Sequence, residues 1–271
     1  MDRVRGTDMK LWNMSRTETK RLFSITNITS TLCASLLIIT VCTVTYIRQH
    51  GTIDLWFYNM FHQIFCGGYF VELLFIPLGY FVTTNVCTDV TEKVFRLFIA
   101  RADTYSYIIA KYMIGILFSF VMSMVVLNFF AAVGMSVIPV TDEGYYSGGA
   151  DVYEDLLKRN TFLYFEMRIL FASLITSVFA AIGMIFSAVI QNQYVSALSP
   201  YLAYTMITRL QLILGMPERV DFSSIYSGFL RTSSSVGWSV AYIVLFCMLC
   251  LVLTGFLYVC VMKRRCSGEK A

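Results

Sequence analysis

Four charged residues stand within or beside long apolar stretches of this 271-residue chain: Glu72, Glu166, Arg168 and Arg209. Charged side chains are rare at membrane depth, where they usually face the protein interior or water. Grouped around a cavity, they would form a polar vestibule for a substrate, or an ion pair that closes it. The alternative is that their long side chains extend to the lipid headgroups.

Residues suited to catalysis or metal binding do not cluster in the sequence. His50 and His62, the only histidines, are 12 positions apart, which does not place them on one helix face at ligand spacing. The Gly-x-x-x-x-Gly-Lys-Ser/Thr phosphate loop is absent, as are the His-Glu-x-x-His and Gly-x-Ser-x-Gly patterns. We therefore predict no catalytic residue, no metal site and no cofactor in this chain.

Six apolar stretches of 19 to 25 residues must position the charged residues. A helix needs about 20 residues to cross a bilayer core about 30 Å thick. Hydrophobic residues make up 57% of the chain and charged residues 14%, against a usual charged share of about 25%. The sequence thus predicts an all-α integral membrane protein with six transmembrane helices. The stretches are Ile25–Ile47, Tyr69–Cys87, Tyr112–Met135, Ile169–Ile190, Val195–Leu214 and Trp238–Met262.

The net charge of +4 combines two unlike sides. The N-terminal tail, the segment Thr88–Lys111 and the C-terminal tail together hold 14 basic and 7 acidic residues, whereas the rest of the chain holds 7 basic and 10 acidic residues. Short loops rich in Lys and Arg stay in the cytoplasm. Both termini are therefore predicted to be cytoplasmic, as an even number of spans requires.

A single transmembrane domain is predicted for residues 1–271. Residues 1–24 form a cytoplasmic N-terminal tail, residues 25–262 the six-helix membrane domain and residues 263–271 a second cytoplasmic tail. Apolar residues at helical spacing suggest that the first tail is an interfacial helix, with an unstructured tail as the alternative. The same spacing within Arg48–Gly68 predicts a short helix at the outer surface.

The segment Thr88–Lys111 is too polar to span the membrane and too apolar for a free loop. Val94, Leu97, Phe98 and Arg101 follow at i, i+3, i+4 and i+7, so they share one largely apolar helix face. A short amphipathic helix is predicted at the inner membrane surface, resting on the membrane or docked by a cytoplasmic partner. The residues expected off this face, presenting charge to the cytoplasm, are Asp89, Glu92, Lys93 and Arg96.

Short motifs follow one another through this segment: Glu92-Lys93, Arg96-Leu97-Phe98-Ile99-Ala100-Arg101, Tyr105 and Ile108-Ile109-Ala110-Lys111-Tyr112. The series resembles the inner loop of type-2 ATP-binding-cassette (ABC) permeases. In that family an acidic residue precedes an amphipathic coupling helix, and a Gly/Ser-Lys step begins the third span. The predicted order of spans is similar to the family along nearly the whole chain. The sequence differs at Val94-Phe95, where the family often has Gly-Thr, and at Ala102-Asp103, where Pro or Gly is usual.

The resemblance implies the permease subunit of an ABC exporter, multi-pass in a plasma membrane such as the bacterial inner membrane. Two permease subunits, identical or different, would form the pathway. Because this chain has no phosphate loop, a partner ATPase would bind the ATP and Mg. Membrane lipids are expected partners and nucleic acid is not. The residues implied to contact the ATPase are Glu92, Lys93, Arg96 and Arg101.

The second and fifth spans are implied to line the pathway between the permease subunits. The fifth carries Pro200, which removes one helical hydrogen bond and permits a kink; the alternative is that this span is scaffold. Met, Phe and Tyr side chains would make the pathway apolar, for an amphipathic or hydrophobic cargo such as a drug, a lipid-like molecule or an antimicrobial peptide. The candidate pathway residues are Glu72, Tyr201, Tyr204, Met206 and Arg209.

Two other classes of function stay open. One is an accessory membrane protein without transport activity, such as an immunity or sensor subunit. The other is a six-span membrane enzyme, which is disfavoured because no predicted span contains histidine and only Glu72 is an acidic residue well inside one. Co-purification of an ATPase with a phosphate loop would separate the transport subunit from both.

Overall fold

The computed structural model describes residues 2–50, 57, 60, 61, 64, 71–101, 103–139, 153–227 and 235–267. Within these ranges all regular secondary structure is helical. The outer-surface helix predicted within Arg48–Gly68 lies for the most part outside the described residues.

The described ranges contain ten α-helices, which we number in chain order. Two 3-10 turns accompany them, Val71–Leu74 before α3 and Glu218–Val220 before α9. The helices are α1 Asp2–Leu22, α2 Ile25–His50, α3 Phe75–Thr91, α4 Phe95–Arg101, α5 Thr104–Val137, α6 Glu154–Arg159, α7 Thr161–Val189, α8 Gln193–Ile213, α9 Phe222–Tyr226 and α10 Val236–Cys266.

Five helical stretches are long and apolar enough to cross a membrane: Ile25–Gln49, Glu72–Thr91, Thr104–Val137, Thr161–Val189 and Val236–Cys266. They agree with a multi-pass, all-α membrane protein. Helix α8, which corresponds to the predicted fifth span, is not among the five. Its 21 residues extend about 31 Å, so its length is sufficient. What it lacks is uniform apolarity, because polar residues recur along it.

Helix α7 lies at the centre of the bundle, where it packs against α3, α5, α8 and α10. Many of its buried residues are small. Small residues let helix backbones approach closely, which is how helices associate within a membrane. The small buried residues of α7 are Ala172, Ser173, Ser177, Ala180, Ala181, Gly183, Ser187 and Ala188.

Pro200 of α8 packs between two glycines of neighbouring helices. A Cβ atom added at Gly79 of α3 would lie 2.6 Å from Pro200 Cγ, and one added at Gly183 of α7 would lie 2.9 Å from the same atom. Carbon atoms do not approach so closely, so each position requires glycine while the proline ring is in place. Pro200, predicted as a kink site, therefore also joins α3, α7 and α8 by packing.

A tight turn separates α1 from α2. Asn27 Nδ2 donates to the carbonyl oxygens of Arg21 at 3.0 Å and Leu22 at 3.2 Å, which satisfies acceptors at the end of α1. Ser24 Oγ accepts from the Asn27 backbone N–H at 3.3 Å, as a helix N-cap does. The turn sends α1 back against α5, with which it packs.

One end of the bundle brings together segments that are distant in sequence. Arg21 of α1 contacts Asp89 of α3, and Arg265 of α10 donates to the carbonyl oxygen of Val189 at 2.8 Å. Lys263 Nζ lies 5.5 Å from the ring centre of Tyr105. We call this end of the bundle the basic pole. It includes the C-terminal ends of α1 and α10 and the segment that connects α3 to α5.

Helix α4 occupies the middle of the segment Thr88–Lys111, but its inward face differs from the predicted one. The helix begins at Phe95, so Val94 precedes it. Phe95 is buried, and Phe98 stacks on Tyr107 of α5 with ring centres 5.7 Å apart. Leu97, predicted to face inward, is 69% exposed. The start of the helix is thus shifted relative to the periodicity, and Phe95 replaces Val94 and Leu97 at the contact.

Candidate functional site

A pocket of about 630 Å³ opens beside α8, at the end of the bundle opposite the basic pole. The turn before α3, the residues after α8 and the start of α9 complete its walls. Its size is in the usual range for ligand sites, about 300–1,000 Å³. The lining residues are Glu72, Tyr201, Tyr204, Thr205, Thr208, Arg209, Gln211, Leu212, Gly215, Met216, Asp221, Ser223 and Ser224.

Most of the pocket wall is one face of α8. Tyr201, Tyr204, Thr205, Thr208 and Gln211 follow at i, i+3, i+4, i+7 and i+10, so their side chains lie along one stripe of the helix. The wall is consequently rich in hydroxyl and amide groups. The expectation of an apolar lining does not describe this pocket.

Hydrogen bonds hold the far wall in place. Gln211 Nε2 donates to the Val220 carbonyl at 2.7 Å, and Gln211 Oε1 accepts from the Phe222 backbone N–H at 3.3 Å. Asp221 caps α9 by accepting from the backbone N–H groups of Ser223 and Ser224, each at 3.1 Å. The end of α8 and the start of α9 are therefore tied together.

An aromatic cluster supports the floor of the pocket. Tyr204 stacks on Phe75 with ring centres 4.6 Å apart, and it lies 5.2 Å from Phe179 and 5.7 Å from Tyr226. These rings come from α3, α7, α8 and α9. Tyr204 is thereby fixed by packing on several sides, whereas Tyr201, also predicted for the pathway, is only half-buried.

Four of the five residues proposed from sequence for the pathway line this one pocket: Glu72, Tyr201, Tyr204 and Arg209. Met206 does not; it points off the polar stripe and is 71% exposed. Sequence reasoning missed Thr205, Thr208 and Gln211, although the i, i+3, i+4 spacing of polar residues was available as a signal.

Three charged residues line the pocket: Glu72, Arg209 and Asp221. The carboxylate of Asp221 caps α9, whereas Glu72 and Arg209, which come from different elements, do not neutralise each other. No hydrogen bond or ion pair involves either side chain among the described residues. Glu72 is half-buried and Arg209 is exposed. A carboxylate and a guanidinium thus face the same cavity, each available to a ligand.

A second polar feature, at the basic pole, is a buried network of four charged residues. Lys111 of α5 and Arg21 of α1 both contact the carboxylate of Asp89 on α3; Arg21 Nη1 lies 2.8 Å from Oδ1. The hydroxyl of Tyr107 donates to Asp89 Oδ2 at 2.7 Å. Asp89, predicted to face the cytoplasm, is instead 0% exposed, because the cations of α1 and α5 converge on it.

Glu18 is the least satisfied member of this network. It is 0% exposed, and its Oε1 lies 3.8 Å from both Arg21 Nη1 and Lys111 Nζ. Neither carboxylate oxygen accepts a hydrogen bond within the described part of the chain. The two cations balance the two carboxylates, so the network as a whole is neutral.

The environment of Arg21 keeps its guanidinium charged. Partial burial lowers its pKa, but the nearby carboxylates of Asp89 and Glu18 outweigh burial and raise the pKa above its usual range. Arg21 therefore remains a cation at neutral pH.

The residues proposed to contact an ATPase lie directly beyond this network. Glu92, Lys93 and Arg96 are exposed, around the turn between α3 and α4. Lys93 occupies the left-handed region, with φ of 56°, immediately after the last turn of α3. The side chain of Arg101 lies outside the described structure.

The remaining charged candidates have other surroundings. Arg168 is buried and contacts the Tyr164 hydroxyl and the Ser227 carbonyl. Glu166 lines a separate, largely apolar cavity of about 310 Å³.

Cys247 and Cys250 stand one turn apart in α10, a Cys-x-x-Cys spacing that sequence reasoning overlooked, and both are free thiols. Among the described residues no His, Cys, Asp and Glu side chains group as metal ligands.

Comparison of the chain with known protein families, with curated proteins and with solved structures finds no match.

Proposed function

We propose that the protein is the membrane-spanning permease subunit of an ABC exporter, in which a separate subunit hydrolyses ATP. The observation that carries the proposal is the exposed turn at Glu92, Lys93 and Arg96, anchored on a buried charge network. An element that transmits force from an ATPase needs both an exposed docking surface and a rigid attachment to the spanning helices. In this proposal α4 is the coupling helix.

The proposal includes six spans with both termini in the cytoplasm. Helix α8 supports a sixth span by its length. It begins shortly after Val189, which lies at the basic pole, and its Gln211 contacts Val220 near the opposite end. The contacts among α1, α5 and α10 support the placement of both terminal segments on one side. The charge bias of that side would make it the cytoplasmic side of a plasma membrane.

A second permease subunit is part of the proposal. Apolar residues of α8 on a face distinct from the polar stripe are exposed, and two copies of this face, or this face and a related chain, would enclose the pathway. Its members are Leu198, Leu202, Met206, Leu210 and Ile213. The cargo is proposed to be amphipathic, because the pocket beside α8 is polar and this face is apolar.

The test is co-purification with an ATPase. Tagged protein isolated from its native membrane should bring down a phosphate-loop ATPase, with ATP hydrolysis that disappears when the phosphate-loop lysine of that ATPase is replaced. The triple variant Lys93→Glu, Arg96→Glu, Arg101→Glu should lose the ATPase while remaining in the membrane.

The matched control changes three cations elsewhere near the basic pole: Arg16→Glu, Lys20→Glu and Arg264→Glu, all of them exposed. The control should retain the ATPase. If both triple variants retain the ATPase, α4 is not part of the interface with the ATPase. Absence of any ATPase from the native complex would favour the accessory protein without transport activity.

Within the complex, the pathway assignment has its own test. Tyr201→Ala and Arg209→Ala should each change cargo-stimulated ATP hydrolysis, because both residues line the pocket. Tyr194→Ala serves as an internal comparison, since Tyr194 is 84% exposed on the same helix, outside the pocket and outside the apolar face. If cargo stimulates ATP hydrolysis equally in the native protein and in the first two variants, α8 is structural scaffold and does not line the pathway.

A further inference from the structure

We propose that the pocket beside α8 binds a zwitterionic group, with an ammonium at Glu72 and a phosphate at Arg209. The carboxylate and the guanidinium line one cavity, and neither is paired with any described residue. The inference deepens the proposed pathway, on which it rests for the role of the pocket in transport.

Glu72 and Arg209 form no ion pair with each other. Two opposite charges that served only to stabilise the fold would lie within about 4 Å of each other. These two are held apart on different elements, the turn before α3 and the last third of α8. A cavity with opposite charges on separate walls is complementary to a ligand that carries the reverse pair.

The hydrogen-bonding capacity of the wall specifies the cationic half. The hydroxyls of Thr205 and Thr208 donate to backbone carbonyls of their own helix, at 3.1 Å and 2.8 Å, so towards a ligand they are acceptors. Glu72 adds carboxylate acceptors. An ammonium with N–H groups offers three donors to such a wall, and the aromatic floor at Tyr204 also favours a cation.

The anionic half rests on Arg209. A guanidinium presents several donors in a planar fork that matches phosphate oxygens, and it keeps its charge at any physiological pH. Ser223, whose side chain accepts or donates no hydrogen bond within the described residues, lines the same pocket and supplies a further donor. The same pocket therefore offers donors at Arg209 and Ser223, and acceptors at Glu72, Asp221, Thr205 and Thr208.

Phosphoethanolamine combines both halves: a primary ammonium and a phosphate joined by two carbons. The group occurs as the headgroup of a phospholipid and as a soluble phosphoester. In the proposed topology the pocket lies at the level of the outer headgroups, because Glu72 and Arg209 both lie near the outer ends of their helices.

The test measures binding to the purified permease alone, without ATPase, in maltoside detergent by isothermal titration calorimetry. O-Phosphorylethanolamine should bind about tenfold tighter than ethanolamine or methyl phosphate, its two halves. Glu72→Gln should lower the affinity for O-phosphorylethanolamine by about tenfold and change the affinity for methyl phosphate by at most about twofold. Arg209→Gln should lower the affinity for O-phosphorylethanolamine by the same factor and change the affinity for ethanolamine by at most about twofold.

Retained binding of the half-ligand shows that each variant keeps its pocket. Glu166→Gln and Arg219→Gln are the matched controls, since they remove one acidic and one basic group outside the pocket; both should bind as the native protein does. Equal affinity for the zwitterion and its halves would overturn the proposal, as would equal losses in the controls.

A second arm distinguishes the two sources. In phosphatidylethanolamine nanodiscs, a lipid headgroup that fills the pocket should abolish binding of the soluble phosphoester, whereas phosphatidylglycerol nanodiscs should leave it unchanged. Binding in both nanodiscs identifies the soluble form as the ligand. Because no ATPase is present, a negative result refutes the zwitterion site and leaves the co-purification test of the permease assignment unaffected.

Discussion

Asp89 at the end of α3 and Lys111 near the start of α5 form an ion pair inside the protein, with both residues at most 2% exposed. The pair joins the two ends of the segment that contains α4. This segment is therefore a loop whose ends are fixed to each other at the Asp89–Lys111 contact, which we call its base. Arg21 and Glu18 of α1 complete the network and tie the N-terminal helix to that base.

Removal of one member of the pair should destabilise the protein strongly. Lys111→Met leaves Asp89 and Glu18 with a single cation, and an uncompensated buried charge costs about 3–5 kcal/mol. The double variant Asp89→Asn, Lys111→Met should be less destabilised than Lys111→Met, because Arg21 and Glu18 then balance each other. Thermal unfolding in detergent measures the order, with Arg96→Ala as an exposed control. A double variant less stable than the single one would contradict this account of charge balance.

Replacing Lys93 by glycine should not destabilise the fold. The left-handed conformation of Lys93 costs a residue with a Cβ atom about 1–2 kcal/mol, and glycine is the usual residue directly after a helix end. Lys93→Gly should therefore raise the unfolding temperature or leave it unchanged. Arg96→Gly, inside α4, should lower stability by about 1 kcal/mol. Equal losses in the two variants would show that the turn is not strained.

Gly79→Ala should force α3 and α8 apart. The added methyl group would meet the rigid Pro200 ring, and overpacking costs about 1–3 kcal/mol. Addition of Pro200→Ala should recover part of the loss by removing the obstructing ring. Gly237→Ala is the control, because a Cβ there meets only Ser235 Oγ at 3.9 Å. The unfolding temperatures of the three variants measure the effect; if Pro200→Ala gives no rescue, the strain is located elsewhere.

Labelling with a membrane-impermeant thiol reagent should show whether α8 crosses the membrane. In a cysteine-free background, Tyr194→Cys and Met216→Cys place exposed thiols at the two ends of α8. Six spans predict that only Met216→Cys reacts in intact cells, and that Tyr194→Cys and Lys10→Cys react only after lysis. If both α8 variants behave alike, reacting either both from outside or both only after lysis, five spans remain and the termini lie on opposite sides.

The apolar runs were sufficient to predict the membrane helices, because length and apolarity are local properties. Ile25–Ile47 lies within α2, which extends further at its C-terminal end, and Trp238–Met262 lies within α10, which extends further at both ends. At the C-terminal end of each helix, polar residues continue the helix beyond the apolar core. Val195–Leu214 differs from the other apolar runs, because α8 is long enough to span a membrane but its polar stripe lowers its mean hydropathy.

The buried charge network was not predictable in the same way. Asp89 and Lys111 are 22 positions apart on different helices, and their contact depends on how α1, α3 and α5 pack. From sequence, Asp89 is expected at the cytoplasmic surface because it lies off the apolar face of the predicted amphipathic helix. The pocket was partly predictable, since Glu72, Tyr201, Tyr204 and Arg209 stood out as polar residues in apolar stretches, whereas the shape that brings them together is tertiary.

The four-charge network also sets an order of events during synthesis. Glu18 has its cation Lys111 only after a further 93 residues have been made, which takes roughly 5–20 s at translation rates of about 5–20 residues per second. Until then the Glu18 carboxylate of α1 lacks its partner Lys111, so this part of α1 must remain in water or at the lipid surface. The nascent chain therefore has a vulnerable interval that ends when α5 arrives, and surveillance proteases that recognise unassembled helices would act within it.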